Sequence, residues 1–556
     1  MVVGDKLAEL LAKNGVEYMY GVPGGQTLPL YEGIRKLPGQ IQHVLMRDER
    51  SAGYAADAYA RLTGRVGVCD ATVGPGATNL VSPLAEAYCS SIPLLAIISD
   101  IPVFWEHRRV RGNASQAIQQ IEIFQTISKW QTTLVNPRSL EDTLDTAFRM
   151  ATTGKPGPVV ISVPMDVAMT DFSYQDSDSV LPGAAFPRFR SAPDLEEVLK
   201  AAQLLRNAKK PVLVVGGGVH ISGASRQVKD LAEKLQAPII TSISGKGVIE
   251  ETHPLAFGVT GSFGNPAAAA IMQQADLVFF IGCKIGQLTT FGYRVPQRTV
   301  AVIHLDADPE EIGRNYKNSV PILADARLGL DAVNVALTDT KTVNDWDFPA
   351  FKKNQEQWYQ ETAANAPQAE QPLRPQTVMD ALNQVLTEDD LVVCDASFSS
   401  GWAAAYLKLT TSGRRFLAPR GLAGLGWGAP AAVGAALATG KGKRVFCLAG
   451  DGGFSYSVQE LEVMKRLDLP IVVLVLNNDV LGWIKHAQKD SYQGNYIATD
   501  FSHVDFAMVA KGFGARGYTV RTLEELKDCL TKEKSMRGPV VLDIATDPWQ
   551  NPMVNA

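Results

Sequence analysis

Short apolar runs alternate with amphipathic or alanine-rich helical stretches along nearly the whole chain. Residues 42–46, 66–72, 212–216, 279–284, 391–394, 443–449 and 471–476 each read as strands, and 443–449 and 471–476 are apolar enough to be buried ones. Between them, stretches such as 6–13 and 51–61 repeat their apolar positions at helical spacing. Strand–helix alternation of this kind predicts parallel sheets covered by helices on both faces. Two segments break the rhythm. Residues 171–192 are rich in Ser, Asp and Pro, and residues 338–375 are polar and helical in parts; both read as interdomain connections. They leave three blocks, 1–172, 190–338 and 370–556, each expected to form a Rossmann-like, doubly wound α/β domain. Blocks one and three look loosely alike in their alternation.

Composition agrees with large buried cores. The chain has 556 residues, of which 46% are hydrophobic and 20% charged, enough for about three or four ordinary domains. A net charge of −5 gives no electrostatic reason to expect nucleic acid or an anionic membrane as partner. The six cysteines are scattered without a Cys-x-x-Cys pair, so disulfides and zinc are not expected, and Cys69, Cys283, Cys394 and Cys447 read as buried thiols. The chain opens on an amphipathic helix without a signal peptide and has no apolar run long enough to span a bilayer, so the expected location is the cytoplasm.

The stretch 450–478 carries the most chemistry. An apolar strand ends at Gly450-Asp451-Gly452-Gly453, and a second buried strand ends at Asn477-Asn478. Glycines at 450, 452 and 453 let the backbone approach an anion, while Asp451 and an asparagine amide supply hard oxygen donors for magnesium. A pair of glycine-rich turns is the plainer reading, and the second strand with its Asn-Asn end weighs against it.

This pattern resembles the cofactor-binding motif of the thiamine-diphosphate enzymes, in the style of acetohydroxyacid synthase, pyruvate oxidase and the 2-hydroxyacyl-CoA lyases. The resemblance implies pyrimidine-binding, central and diphosphate-binding domains in that order. It places the metal on Asp451, Asn478 and the main-chain oxygen of Val480. It also implies that Glu49, in Arg47-Asp48-Glu49-Arg50, is the carboxyl beside N1′ of the aminopyrimidine, where it shares a proton with the ring. Asp48 is the alternative, and an acid in the first turn of a helix is the plain reading. Gly24 and Gly25 resemble the loop near substrate, and Gly74-Pro75-Gly76 with Asn79 the turn beside the pyrimidine; simple turns remain open for both. Gln116 aligns with a glutamine facing substrate. Ser397 and Ser399 suit either a diphosphate or a helix cap. In segment 421–430, Leu425 takes the place of the apolar wedge that bends the cofactor, and the Ala423 carbonyl that of the acceptor for its amino group.

Some residues depart from that pattern. The central block lacks the flavin-contacting runs of the biosynthetic acetohydroxyacid synthases, so FAD is not favoured over ADP, CoA or no ligand. Ala487 stands where those enzymes carry a specificity tryptophan. Trp483 either narrows the pocket or packs on a helix, and His486 reads as an isolated surface residue. The resemblance implies a carboligase that decarboxylates a 2-oxo acid, pyruvate foremost, and joins the enamine to an aldehyde or ketone. An aldehyde lyase or 2-hydroxyacyl-CoA lyase is the alternative, and a catalytically silent homologue is opposed by intact Glu49, Asp451 and Asn478. A homodimer or homotetramer with active sites at the subunit interface is implied.

Overall fold

The computed structural model describes residues 1–173, 183–338, 344–364, 371–440, 442–533 and 537–554. The middle of the first expected joint, 174–182, and parts of the second, 339–343 and 365–370, lie outside them.

Three six-stranded, wholly parallel sheets carry the chain. The first contains β1 (Tyr18–Gly21), β2 (Gln42–Leu45), β3 (Gly67–Ala71), β4 (Leu94–Asp100), β5 (Trp130–Thr133) and β6 (Val159–Pro164). The second contains β7 (Pro211–Val215), β8 (Ile239–Thr241), β9 (Ala256–Val259), β10 (Leu277–Ile281), β11 (Ala301–Asp306) and β12 (Ser319–Leu323). The third contains β13 (Leu391–Cys394), β14 (Phe416–Leu417), β15 (Val445–Gly450), β16 (Ile471–Asn477), β17 (Arg516–Val520) and β18 (Val540–Ala545). Each sheet falls inside one of the three sequence blocks, and the α/β, doubly wound expectation holds.

The strand orders say where sites can form. The first sheet runs β2-β1-β3-β4-β6-β5, and the third repeats that order as β14-β13-β15-β16-β18-β17. The likeness of blocks one and three is therefore topological. In both, the order reverses beside the founding strand, between β1 and β3 and between β13 and β15, and ligands of open α/β sheets bind at such a reversal. The central sheet runs β9-β8-β7-β10-β11-β12, the dinucleotide-fold order. Its switch point is closed by backbone: the Gly216 N–H donates to Ile281 O (2.9 Å) and the Gly218 N–H to Gly282 O (3.0 Å).

By compactness the chain forms two units. One comprises 1–189, 419–442 and 456–471, the other 190–418, 443–455 and 472–556. Parts of the third block thus belong to the first unit. In that unit the helix Glu49–Thr63 is capped by Asp48, which accepts from the Arg50 N–H, and ends at Gly64 with φ 67°. The helix Gly428–Thr439 lies against it so closely that a Cβ on Gly434 would come within 2.0 Å of Ala55 O. Alanine and glycine on both surfaces permit that approach. In the second unit, the expected joint around 338–375 is in part a packed helix, Phe348–Tyr359, whose Phe351 joins the central core while Tyr359 joins the core of the third sheet. That helix is thus packed rather than free. All six cysteines are unbridged, and only Cys89 is exposed. Among the described residues no helix is long and apolar enough to cross a membrane.

Candidate active site

In the first unit, the turn after β2 delivers Glu49 as the first residue of its helix, half-buried. Its Oε2 accepts from Asn79 Nδ2 (2.9 Å), and a Cβ on Gly76 would sit 3.1 Å from its Oε1. The short helix Pro75–Asn79, entered through Gly74 at φ 71°, is what brings Asn79 there. Gly24 lies against Thr72, whose Oγ1 a Cβ at 24 would meet at 2.2 Å, whereas Gly25 faces open space. Glu49, Gly76, Asn79, Thr72 and Gly24 thus gather at the carboxyl ends of the strands flanking the switch point.

Gln116 reaches this place by its backbone: it has φ 64°, and its carbonyl would lie 2.2 Å from a Cβ on Gly74. Its side chain is exposed. The glutamine that holds the turn is Gln120, which accepts from the Gly74 N–H (3.1 Å) and donates to Ser99 O (2.8 Å). The loop 421–425 belongs to the same unit. Ala423 stands at φ 60° and Leu425 is half-buried. Further along, Trp427 is fully buried and donates from Nε1 to Asp57 Oδ2 (3.1 Å).

The second unit holds the expected metal ligands together. β15 ends directly at Asp451, whose Oδ1 accepts from the Gly452 N–H (2.7 Å) and whose Oδ2 accepts from the Asn478 N–H (3.2 Å). Asn478 Oδ1 in turn accepts from the Val480 N–H at 3.3 Å. Burial pushes the Asp451 carboxyl up to about 6, against the pull of the N–H groups of Gly452, Asn478 and Asp479. One carboxylate, one amide oxygen and a main-chain oxygen make a donor set for a hard cation, so these residues fit magnesium. Among the described residues no three His, Cys, Asp or Glu side chains gather as a metal cluster of another kind. Asn477 is structural, donating to Val504 O (3.0 Å) and Asp543 Oδ1 (2.9 Å).

Across the switch point, Asp395 follows β13, and a Cβ on Gly453 would stand 3.2 Å from its carboxyl carbon. Gly450 faces open space, as an anion site requires. Ser397, at φ 66°, makes no side-chain cap to the helix Phe398–Tyr406, so the cap reading fails there. Ser399 has a buried hydroxyl that donates to Ala396 O (2.7 Å), a main-chain partner that competes with any anion.

Of the two readings of Trp483 the packed one is seen, and the surface reading of His486 is overturned. Trp483 packs with Phe263 and Phe398, ring centroids 5.6 and 5.7 Å away. His486 is 5% exposed rather than on the surface, because Phe398 and Trp549 enclose it and its Nε2 bonds Pro548 O. The residue missed by sequence reasoning is Glu86, which accepts from the backbone of loop 421–423.

Comparison with known proteins bears on this geometry. Residues 1–123 match the N-terminal TPP binding domain of the thiamine pyrophosphate enzymes, residues 198–333 their central domain, and residues 395–544 their C-terminal TPP binding domain. The chain is 32% identical to a probable acetolactate synthase large subunit of Methanocaldococcus jannaschii, over 99% of this chain and 93% of that protein. It is 32% identical to the acetolactate synthase large subunit of Cyanidium caldarium, covering 99% and 94%. An acetolactate synthase of Arthrospira platensis is 34% identical, covering 97% and 93%.

Proposed function

The chain belongs to the thiamine pyrophosphate enzyme family, and on that premise we propose that it is a carboligase of the acetolactate synthase kind. It decarboxylates a 2-oxo acid, pyruvate foremost, and joins the remaining two-carbon unit to a second carbonyl. The observation that carries this reading is the convergence of Asp451 and Asn478 at the ends of neighbouring strands beside a sheet switch point.

Asp451, Asn478 and the Val480 carbonyl would hold magnesium, and the glycines at 450, 452 and 453 would leave room for the diphosphate. When bound, thiamine diphosphate supplies a carbon that adds to the 2-oxo acid and holds the electron pair left by CO2. Glu49, oriented by Asn79, would hold a proton at its carboxyl beside the pyrimidine ring. The Ala423 carbonyl would accept from the ring's amino group, and Leu425 would support the ring from below. Gln116 would face substrate, and Pro75, Gly24 and Gly25 would shape the pocket wall. Ser397 remains a candidate for the diphosphate; the competing bond of Ser399 weakens its case. Domain limits of 1–172, 190–338 and 370–556 and a homodimer or homotetramer belong to the same proposal. FAD is not assigned to the central domain, where the Gly218 N–H that could face a pyrophosphate is taken by Gly282 O.

The test supplies purified protein with thiamine diphosphate, magnesium and a panel of 2-oxo acids, aldehydes and acyl-CoAs. Acetolactate and CO2 from pyruvate alone are expected. Turnover confined to an acyl-CoA would replace this reading with a 2-hydroxyacyl-CoA lyase, and the visible spectrum of the same sample checks for flavin.

A further inference from the structure

Three consecutive N–H groups converge on one buried carboxylate. Gly421, Leu422 and Ala423 donate to Glu86 at 3.0, 2.7 and 2.9 Å. Glu86 lies in the helix Val81–Ser90 and is 0% exposed. Its Oε1 takes the Gly421 N–H, Arg61 Nη2 (3.1 Å) and Ser90 Oγ (2.6 Å), while Oε2 takes Leu422 and Ala423. Burial pushes this carboxyl up, but Arg61, Ser90 and the N–H groups outweigh it and hold the group below the ordinary glutamate range, hence ionised.

Successive N–H groups wrapped round an anion fix a backbone that is otherwise unfavourable. Here the unfavourable element is Ala423, a non-glycine residue at φ 60°, a left-handed conformation that side chains with a Cβ rarely adopt. The loop has no slack on that side. A Cβ on Gly421 would stand 2.6 Å from the Glu86 carbonyl oxygen and 2.8 Å from Cys89 Cβ, and one on Gly424 would stand 2.9 Å from Tyr54 Oη. Glu86 itself is sealed from solvent, so whatever it does for a bound ligand it does through the loop.

We propose that Glu86 is a positioning residue, whose ionised carboxylate fixes the loop 421–425 so that the Ala423 carbonyl and the Leu425 side chain hold one place for the cofactor's pyrimidine ring. This rests on the reading of Ala423 and Leu425 given above. Glutamine has one acceptor oxygen and can keep at most three of the five contacts, whereas aspartate keeps the charge but is one methylene short.

The test uses the full-length protein and two readouts. In the absence of cofactor, amide hydrogen exchange at 421–425 is expected to rise at least roughly 10-fold in Glu86→Gln and further in Glu86→Ala, with partial recovery in Glu86→Asp. With thiamine diphosphate and magnesium, exchange of the cofactor's C2 proton is expected to fall about 100-fold in Glu86→Ala, while cofactor affinity changes less than about 10-fold. If Glu86→Ala does not fold, Gly421→Ala displaces the loop with the charged cluster intact and should give the same loss of C2 exchange. Wild-type loop protection in a folded Glu86→Gln, or wild-type C2 exchange in a protein with the loop released, overturns the proposal. If the wild-type protein itself fails to promote C2 exchange, the thiamine reading falls and takes the cofactor half of the proposal with it, whereas the amide result still judges Glu86 as the loop's anchor.

Discussion

At the scale of single residues, carboxylates decide the chemistry, and their surroundings divide them into different tasks. Glu49 accepts from the Asn79 side-chain amide at the mouth of a switch point. Glu49→Gln should fold as the wild type does and lose roughly 100-fold or more in turnover, read from acetolactate formation at saturating cofactor. Asp451 is proposed as a metal ligand. Asp451→Ala should weaken magnesium-dependent binding of thiamine diphosphate by at least about 10-fold, measured by titration calorimetry. Glu460 is a third case. Burial, with help from Asp48, pushes it up to about 7, while Ser51 and the Arg47 N–H pull the other way. The folded chain therefore keeps a proton between the ordinary glutamate pKa of 4.5 and about 7 that the unfolded chain releases. Its contribution to stability is full below 4.5 and is lost as the pH rises through 7. Thermal unfolding of Glu460→Gln across that range should show a flatter pH dependence than the wild type; an unchanged slope would assign the dependence to other groups.

At the scale of elements, what could be read from the chain and what could not follow from the range of the interactions. The strands were legible because burial on both faces forces continuous apolar runs such as 471–476, whatever lies beside them. Asp451 and Asn478 were legible because strand ends and glycines announce themselves locally. Glu86 was not: an acid set in the alanine-rich helix Val81–Ser90 has the look of a solvated position, and its partner Gly421 is 335 residues away in sequence. His486 was misjudged for the same reason, since its cover, Trp549, comes from near the far end of the chain. The helices Glu49–Thr63 and Gly428–Thr439 depend on such a distant match. Gly434→Val would drive a side chain into Ala55, and a loss of about 1–3 kcal/mol in denaturant unfolding is expected.

At the scale of the molecule, two sheets with one strand order do different work: the first gathers Glu49 and Asn79, the third gathers Asp451 and Asn478. The third block does not fold around its own sheet alone, since residues 419–442 and 456–471 complete the first unit. A fragment of residues 1–172 should therefore be incompletely folded, with excess dye-binding apolar surface and a broad thermal transition; a sharp, wild-type-like transition would show that the borrowed helices are dispensable. The same borrowing sets a schedule during synthesis. When the helix Glu49–Thr63 leaves the ribosome, the helix that covers its alanine face is still unmade, and at about 5–20 residues per second the wait is on the order of tens of seconds. Through that interval the nascent chain exposes a small-residue face shaped for a helix it does not yet have.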